Sequence, residues 1–353
     1  MPVVKPVWYL IALAPLAGAA HWAGASDLVV FTLSALAIVP LAALLGDATE
    51  QLAGYAGPVV GGVLNASLGN LAELIIGVLA LRAGMVDLVK ASITGSILGN
   101  LLLVLGASQL AGGLRFKAQQ FSRHLAGMNT SLLVIAVVGL VVPALFHAAH
   151  PDPGRHLTFR MSEFVAALLV IGYALSLVYS MGTHRAAFGE GGDVAHGEHA
   201  PTWTLRRTLA VLAAVSVGLT WMSELLVGAT RGTVAASGLS QFFVGIVLVP
   251  IIGNAAEHSS AIVMAMRNRM DLAIGIALGS TVQVALLVAP VLVFAGHVMG
   301  QPMDLVFSTF EVASVALAVW VASTVVHDGE SNWLEGAFLL LVYAVLGVAF
   351  YFF

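Results

Sequence analysis

The chain has 353 residues, of which 59% are hydrophobic and 9% charged, with a formal net charge of −4. Soluble domains carry about 25% charged residues, so the composition excludes a water-soluble globular protein and indicates an integral membrane protein. There is no cysteine, which excludes disulfides and thiolate metal sites, and no basic stripe that would grip nucleic acid.

A helix needs roughly 20 apolar residues to cross a bilayer core. Eleven apolar segments approach or exceed that length, near 7–22, 27–45, 59–82, 87–111, 124–147, 161–183, 207–229, 241–266, 271–297, 304–326 and 332–353. They are too long for barrel strands, which would be about 10 residues of alternating character. The expected fold is all-α, with eleven transmembrane helices. With the N-terminus in the cytoplasm, nine Lys and Arg fall inside and five outside, the bias the positive-inside rule requires.

In chain order, the first segment follows Lys5 and precedes Ala23-Gly24-Ala25. It is read as an extra helix; the small residues also fit a signal-peptide cleavage site. The second ends in Asp47 and Glu50. The third carries NASLGNLAELIIG, with Asn70 and Glu73 three apart and so on one helical face. The fourth opens with Asp87 and carries Ser96 and Asn100. After the fifth and sixth comes a cytoplasmic linker, 184–206, with Glu190, Asp193, Glu198, His184, His196 and His199 among glycines. The seventh contains Glu224, and the eighth carries PIIGNAAEHSSAI, with Asn254, Glu257 and His258. The ninth opens with Asp271 and carries Ser280 and Gln283; the tenth has Glu311 near its start. Asp87 and Asp271 are expected to cap helices. Glu50 and Glu311 are candidates for an ion or proton pathway, with interfacial hydrogen bonding as their plainer role.

Residues 61–100 align without gaps on 245–284 at a constant offset of 184. Gly61 falls on Gly245, Gly69-Asn70 on Gly253-Asn254, Glu73 on Glu257, Asp87 on Asp271, and Gly95-Ser96 on Gly279-Ser280. The unit is five helices, an odd number, so the second copy enters the membrane with the opposite orientation. Such inverted repeats are a transporter plan with the site near the midplane. The expected division is an extra helix in 1–26, a first repeat in 27–183, the linker in 184–206 and a second repeat in 207–353.

A charged side chain at the bilayer centre costs about 2.5–3.5 kcal/mol on insertion scales. Two glutamates at repeat-related positions therefore imply a shared partner rather than two packing accidents. Gly61, Gly62 and Gly69 precede the first, and Gly245, Pro250 and Gly253 the second. These residues weaken or break helices, and a broken helix frees carbonyls that can face a cation; close packing through small residues is the other use of such positions. Glu73, Glu257, Asn70, Asn254, Ser96, Ser280, Asn100 and Gln283 form the expected oxygen ligand set. Hard oxygen ligands suit Ca2+, Mg2+ or Mn2+.

Two carboxylates are neutralised by one divalent cation or by two protons, whereas an empty, doubly charged site is costly away from water. This predicts exchange of a divalent cation for protons, with Glu73 and Glu257 carrying both and His258 tuning the proton side. The protein is not expected to be an enzyme: no HExxH or Walker A motif occurs. Rival readings are a Na+- or K+-coupled exchanger and a divalent cation channel with acidic rings.

The segments GGVLNASLGNLAELIIGVLALRAG, SITGSILGNLLLVLG, ELLVGA, VPIIGNAAEHSSAI and ALGSTVQVALLVAP resemble the cation/proton exchangers of the Ca2+/cation antiporter superfamily over nearly the whole chain. The resemblance is to prokaryotic Ca2+/H+ antiporters. It implies that Glu73 and Glu257 bind Ca2+ and protons, and that cytosolic Ca2+ leaves through the plasma membrane against inward protons. No resident cofactor is implied: Ca2+ is cargo, and Mn2+ a second candidate cargo. A homo-oligomer is compatible with the resemblance. Related Na+/Ca2+ exchangers carry proline before each motif glutamate; here Ala72 and Ala256 stand there, which favours the proton-coupled branch. Many members have an acidic helix between the halves, which this Gly-rich linker lacks, so regulation by cytosolic Ca2+ is not implied.

Overall fold

The computed structural model describes residues 6–150, 154–183 and 201–352. Residues 184–200, most of the predicted linker with its histidines and acids, lie outside the described residues. The described helices are α1 (Tyr9–Trp22), α2 (Asp27–Ala56), α3 (Pro58–Leu68), α4 (Leu71–Arg82), α5 (Val86–Phe116), α6 (Arg123–Ala149), α7 (His156–Met181), α8 (Leu205–Ser237), α9 (Gln241–Gly253), α10 (Ala255–Met266), α11 (Met270–Val298), α12 (Thr309–Val325) and α13 (Trp333–Phe352). Seven of these are long and apolar enough to cross a membrane, or eight if the bent pair α9–α10 is one span. Each predicted apolar segment falls on a helix; the third and eighth fall on two. Among the described residues, a short antiparallel pair, β1 (Ala118–Gln120) with β2 (Glu330–Asn332), is the local exception to the helical architecture. The hydropathy pattern gave no hint of it, because it lies between apolar segments.

The chain packs as two compact units, each built from both halves of the sequence: residues 1–92 with 198–256, and 93–197 with 257–353. In the first unit α2 packs along α8, with Ile38, Leu45, Leu219, Met222 and Leu226 fully buried. Small residues bring backbones close, as membrane helix packing requires. A Cβ added to Gly18 would strike the Trp221 ring, whereas one on Gly218 would make only an ordinary contact, 3.6 Å from Leu41. Helix α1 is thus seated on α8.

In the second unit α13 packs on the later part of α5. A Cβ on Gly106 would lie 2.9 Å from Leu339 Cβ, and one on Gly336 would meet the Leu110 and Gly106 backbone. Of the apolar windows, 89% of that in α5 and 72% of that in α11 are buried, against 28% in α6, 17% in α7 and 22% in α13. Helices α5 and α11 are core helices, whereas α6, α7 and α13 turn side chains such as Val138, Phe164, Leu168 and Val345 outward, the arrangement expected toward lipid tails.

Helices α5, α9 and α11 each contain a widened π turn, at Gly99–Val104, Val244–Leu248 and Val284–Val288. Two of them precede Pro250 and Pro290. A proline ring clashes with the carbonyl four residues back and has no N–H to offer. The π turns supply i→i+5 bonds instead, Val249 N–H to Val244 O and Ala289 N–H to Val284 O. The turn in α5 has no proline and begins at Gly99.

Candidate ion-binding site

Both motif copies sit at helix breaks. Helix α3 stops at Leu68, Gly69 and Asn70 form a turn, and α4 restarts at Leu71. In the second copy α9 stops at Gly253 and α10 restarts at Ala255, with a bend of 61°. Asn70 has φ −95° and ψ 23°; Asn254 has φ −99° and ψ 6°. Both lie in the sparsely used bridge region, so the local backbone repeats along with the sequence. Both asparagines are buried, at 1% and 2% exposure. Glu73 and Glu257 fall in the first turns of α4 and α10, where the helix dipole favours negative charge by about 0.3–1 kcal/mol.

The expected residues divide between the units. The first holds Glu50, Asn70, Glu73 and Asn254; the second holds Ser96, Asn100, Glu257, His258, Ser280, Gln283 and Glu311. Within the first, a Cβ built on Gly253 would stand 3.8 Å from Glu73 Cγ and 3.8 Å from Ile76 Cδ1. The second motif's break thus lies against the stem of the first motif's glutamate, with room at position 253 for a methyl group but little more. Sequence symmetry pairs Gly253 with Gly69; the fold places it beside Glu73.

Within the second unit, the Ser280 hydroxyl donates to the Glu257 carboxylate, and Asn100 Nδ2 donates to Ser280 Oγ at 3.0 Å. This makes a directed chain, amide to hydroxyl to carboxylate. Its members come from α5, α11 and α10. Asn100 lies in one π turn and Gln283 directly precedes another, the kind of local widening often found at functional sites. Ser96 is buried at 2% and Gln283 is half-buried. Glu257 and His258 are half-buried; Glu257 Oε2 and His258 Nε2 make no hydrogen bond among the described residues. No group of three or more His, Asp or Glu able to hold a metal is present among the described residues. A cation here would be held by a carboxylate completed with neutral amide, hydroxyl and carbonyl oxygens.

Glu311 is 3% exposed. Its Oε2 accepts Ser308 N–H at 2.9 Å, Glu311 N–H donates to Ser308 Oγ at 3.2 Å, and Thr94 Oγ1 donates to its Oε1 at 3.0 Å. It is thus the carboxylate of a capping box that starts α12, tied by Thr94 to α5. Glu50 is exposed near the end of α2. Asp271 is not a helix cap. The cap position of α11 is Arg269, and Asp271 Oδ1 accepts Ser122 N–H from the segment before α6. The sequence did not single out Thr94 or Ser308. The Ser-x-x-Glu spacing at 308–311 was the available signal for a helix start there.

The model of the sodium/calcium exchanger protein family matches residues 26–182 and 207–352. The chain belongs to this family. Among its relatives, a "Ca(2+)/H(+) antiporter" of Aphanothece halophytica is 42% identical over 97% of this chain and 95% of that protein. One of the same name from Synechocystis is 43% identical over 97% and 96%, and the "Ca(2+)/H(+) antiporter ChaA" of Bacillus subtilis is 39% identical over 94% and 93%. Among solved structures, native YfkE superposes with TM-score 0.85 at 35% identity, covering 98% of this chain and 100% of that one. The H+/Ca2+ exchanger CAX has TM-score 0.74 at 16% identity, covering 98% of this chain and 91% of that one; at that distance it supports the exchanger-family fold alone.

Proposed function

We propose that this exchanger-family chain is a secondary antiporter that moves Ca2+ against protons by alternating access, with Glu73 and Glu257 carrying the cation and the protons in turn. The observation that carries the reading is the placement of each glutamate in the first turn of a half-helix directly after a break, in both copies of the motif. The names of the relatives at 39–43% identity over nearly their full length supply the ions.

The chemistry follows from charge. A carboxylate at a half-helix N-terminus is partly stabilised by the dipole but is still costly away from water. Ca2+ removes that cost in one loaded state and protons remove it in the other. An empty, charged pair has no such compensation and does not reorient, so the two fluxes are coupled. Asn70 and Asn254 are read as ligands or as the residues that hold each break open. Asn100 and Ser280 orient Glu257, while Ser96 and Gln283 line the site as neutral oxygens. His258 adjusts proton exchange beside Glu257, and Mn2+ is a second cargo that such ligands accept. Glu50 is read as part of an ion or proton entry route.

The finer architecture belongs to the same proposal: eleven transmembrane helices, one extra N-terminal helix, and inverted repeats in 27–183 and 207–353 joined by a linker at 184–206. The chain would sit in a prokaryotic plasma membrane with its N-terminus in the cytoplasm. The test is Ca2+ uptake into liposomes carrying the purified protein. Uptake that follows a pH gradient without Na+ or K+, and is lost in both Glu73→Gln and Glu257→Gln, is the expected result. Full activity in either variant sinks the paired roles. Na+ coupling is the second reading, on the strength of the family model's name. It would appear as uptake that ignores the pH gradient and requires Na+.

A further inference from the structure

The segment between α5 and α6 holds two helices besides joining its own. In β1, Gln119 is paired with Ser331 of β2, and Phe121 N–H adds a bond to Gly329 O at 2.9 Å. The pairing fixes the direction of each side chain, since neighbours along a strand face opposite ways. Gln119 faces inward at 2% exposure. Its Nε2 donates to Ala265 O at 2.9 Å and to Asn268 Oδ1 at 3.0 Å. Ala265 is the penultimate residue of α10, and Asn268 closes that helix in the left-handed conformation, φ 59°. Three residues along, Ser122 N–H donates to Asp271 Oδ1 at 2.5 Å, in the first turn of α11. One short segment therefore grips the end of the helix that carries Glu257 and the start of the helix that carries Ser280.

Gly112 makes room for this grip. A Cβ there would collide with Gln119 Oε1 and lie 3.2 Å from Ala265 O. The amide thus passes between α5 and the end of α10 through a gap that only glycine leaves. Ala265 stands eight residues beyond Glu257, about 12 Å along a helix rising 1.5 Å per residue. A helix is stiff along its axis, so an axial shift at Ala265 is an axial shift at Glu257.

We propose that Gln119 is a positioning residue for the cation site: it holds α10 in register with α11 and so sets the Glu257–Ser280 hydrogen bond. The inference rests on the proposed Ca2+/proton exchange at Glu257. The grip is a single uncharged amide on a carbonyl and an amide oxygen, so its loss shifts the helix without placing a bare charge in the interior.

The test measures Ca2+ uptake into proteoliposomes over a Ca2+ series at several pH values, on variants that elute as a single species from size exclusion. Gln119→Leu keeps the bulk and removes the donor; Gln119→Asn keeps the amide but falls one methylene short; Gly112→Ala displaces the amide without changing it. Each is expected to raise half-saturating Ca2+ about threefold to tenfold, the effect of one buried neutral hydrogen bond, and to shift the pH profile, with little change in the maximal rate. Gln119→Leu combined with Gly112→Ala should be no worse than the stronger single variant, because both act on one contact. Unchanged half-saturation and pH profile in the folded variants overturn the inference, including the case where only the maximal rate or yield falls. Absence of proton-driven uptake in the unaltered protein would instead refute the functional reading itself.

Discussion

Replacing Ser280 with alanine removes one oxygen that makes two hydrogen bonds in series. Ser280 Oγ accepts from Asn100 Nδ2 at 3.0 Å and its hydroxyl donates to Glu257. Asn100 is 1% exposed and Ser280 6%, so bulk water does not replace the lost partner. A hydrogen bond to a charged group contributes about 1.5–3 kcal/mol, and a neutral one about 0.5–1.5 kcal/mol. The first is the term felt by Glu257 when it holds a cation. Ser280→Ala should therefore raise half-saturating Ca2+ about tenfold to a hundredfold. Asn100→Ala leaves the hydroxyl in place and loses only its orientation, so it should cost about tenfold at most. The double variant should resemble Ser280→Ala, because the amide acts through the hydroxyl. The assay is initial Ca2+ uptake at a fixed pH gradient across a Ca2+ series. Equal effects that add in the double variant would refute the directed chain, as would an unchanged half-saturation in Ser280→Ala.

Gly253→Ala should be tolerated, since its Cβ would stand at 3.8 Å from Glu73 Cγ and from Ile76 Cδ1, an ordinary contact distance. Gly253→Val fills that space with two further methyl groups and should abolish Ca2+ uptake while the protein still folds; wild-type uptake by the valine variant would contradict the contact. Glu311→Gln replaces the carboxylate that accepts Ser308 N–H and the Thr94 hydroxyl. It should destabilise the start of α12 by about 1–2 kcal/mol, read as a lower unfolding temperature in detergent, and an unchanged unfolding temperature would argue that the capping box is not what Glu311 serves. Glu50→Gln, at an exposed position, should leave that temperature unchanged, so any fall in uptake would report on ion entry alone.

The Gly-Asn-x-x-Glu motifs located both helix breaks, because glycine and proline act on the backbone locally and tertiary contacts need not be known. They also located Glu73 and Glu257 in the first turns that follow. The register of Ser280 against Asn100 was only half legible. Spacing placed Asn100 on one face with Ser96 and Gln283 on one face with Ser280, but which amide meets which hydroxyl depends on how α5 and α11 pack. The π turns shift that register by local widening, and apolar periodicity does not report it. Glu311 read as an isolated acid in an apolar run although Ser308 stands three residues before it; its other partner, Thr94, is 217 positions away and had no local signal. The β1–β2 clip and Gln119 were invisible for the same reason: an uncharged residue between two apolar segments carries no signal until the partner strand is found.

The sequence by itself determined that this is a helical membrane protein with two related motifs, that each motif breaks its helix, and that a carboxylate follows each break. Those properties are set by composition and by residues acting on their own backbone within one or two turns. The tertiary structure decided that the compact units draw on both halves of the chain, that Gly253 backs Glu73, that Asn100 and Ser280 form a chain to Glu257, and that Gln119 holds the far end of the Glu257 helix. Apart from Ser280 to Glu257, which lie 23 positions apart, these contacts join residues 146 to 180 positions apart. They arise from close packing of whole helices, and helix packing is fixed by the shape of both surfaces rather than by either sequence alone.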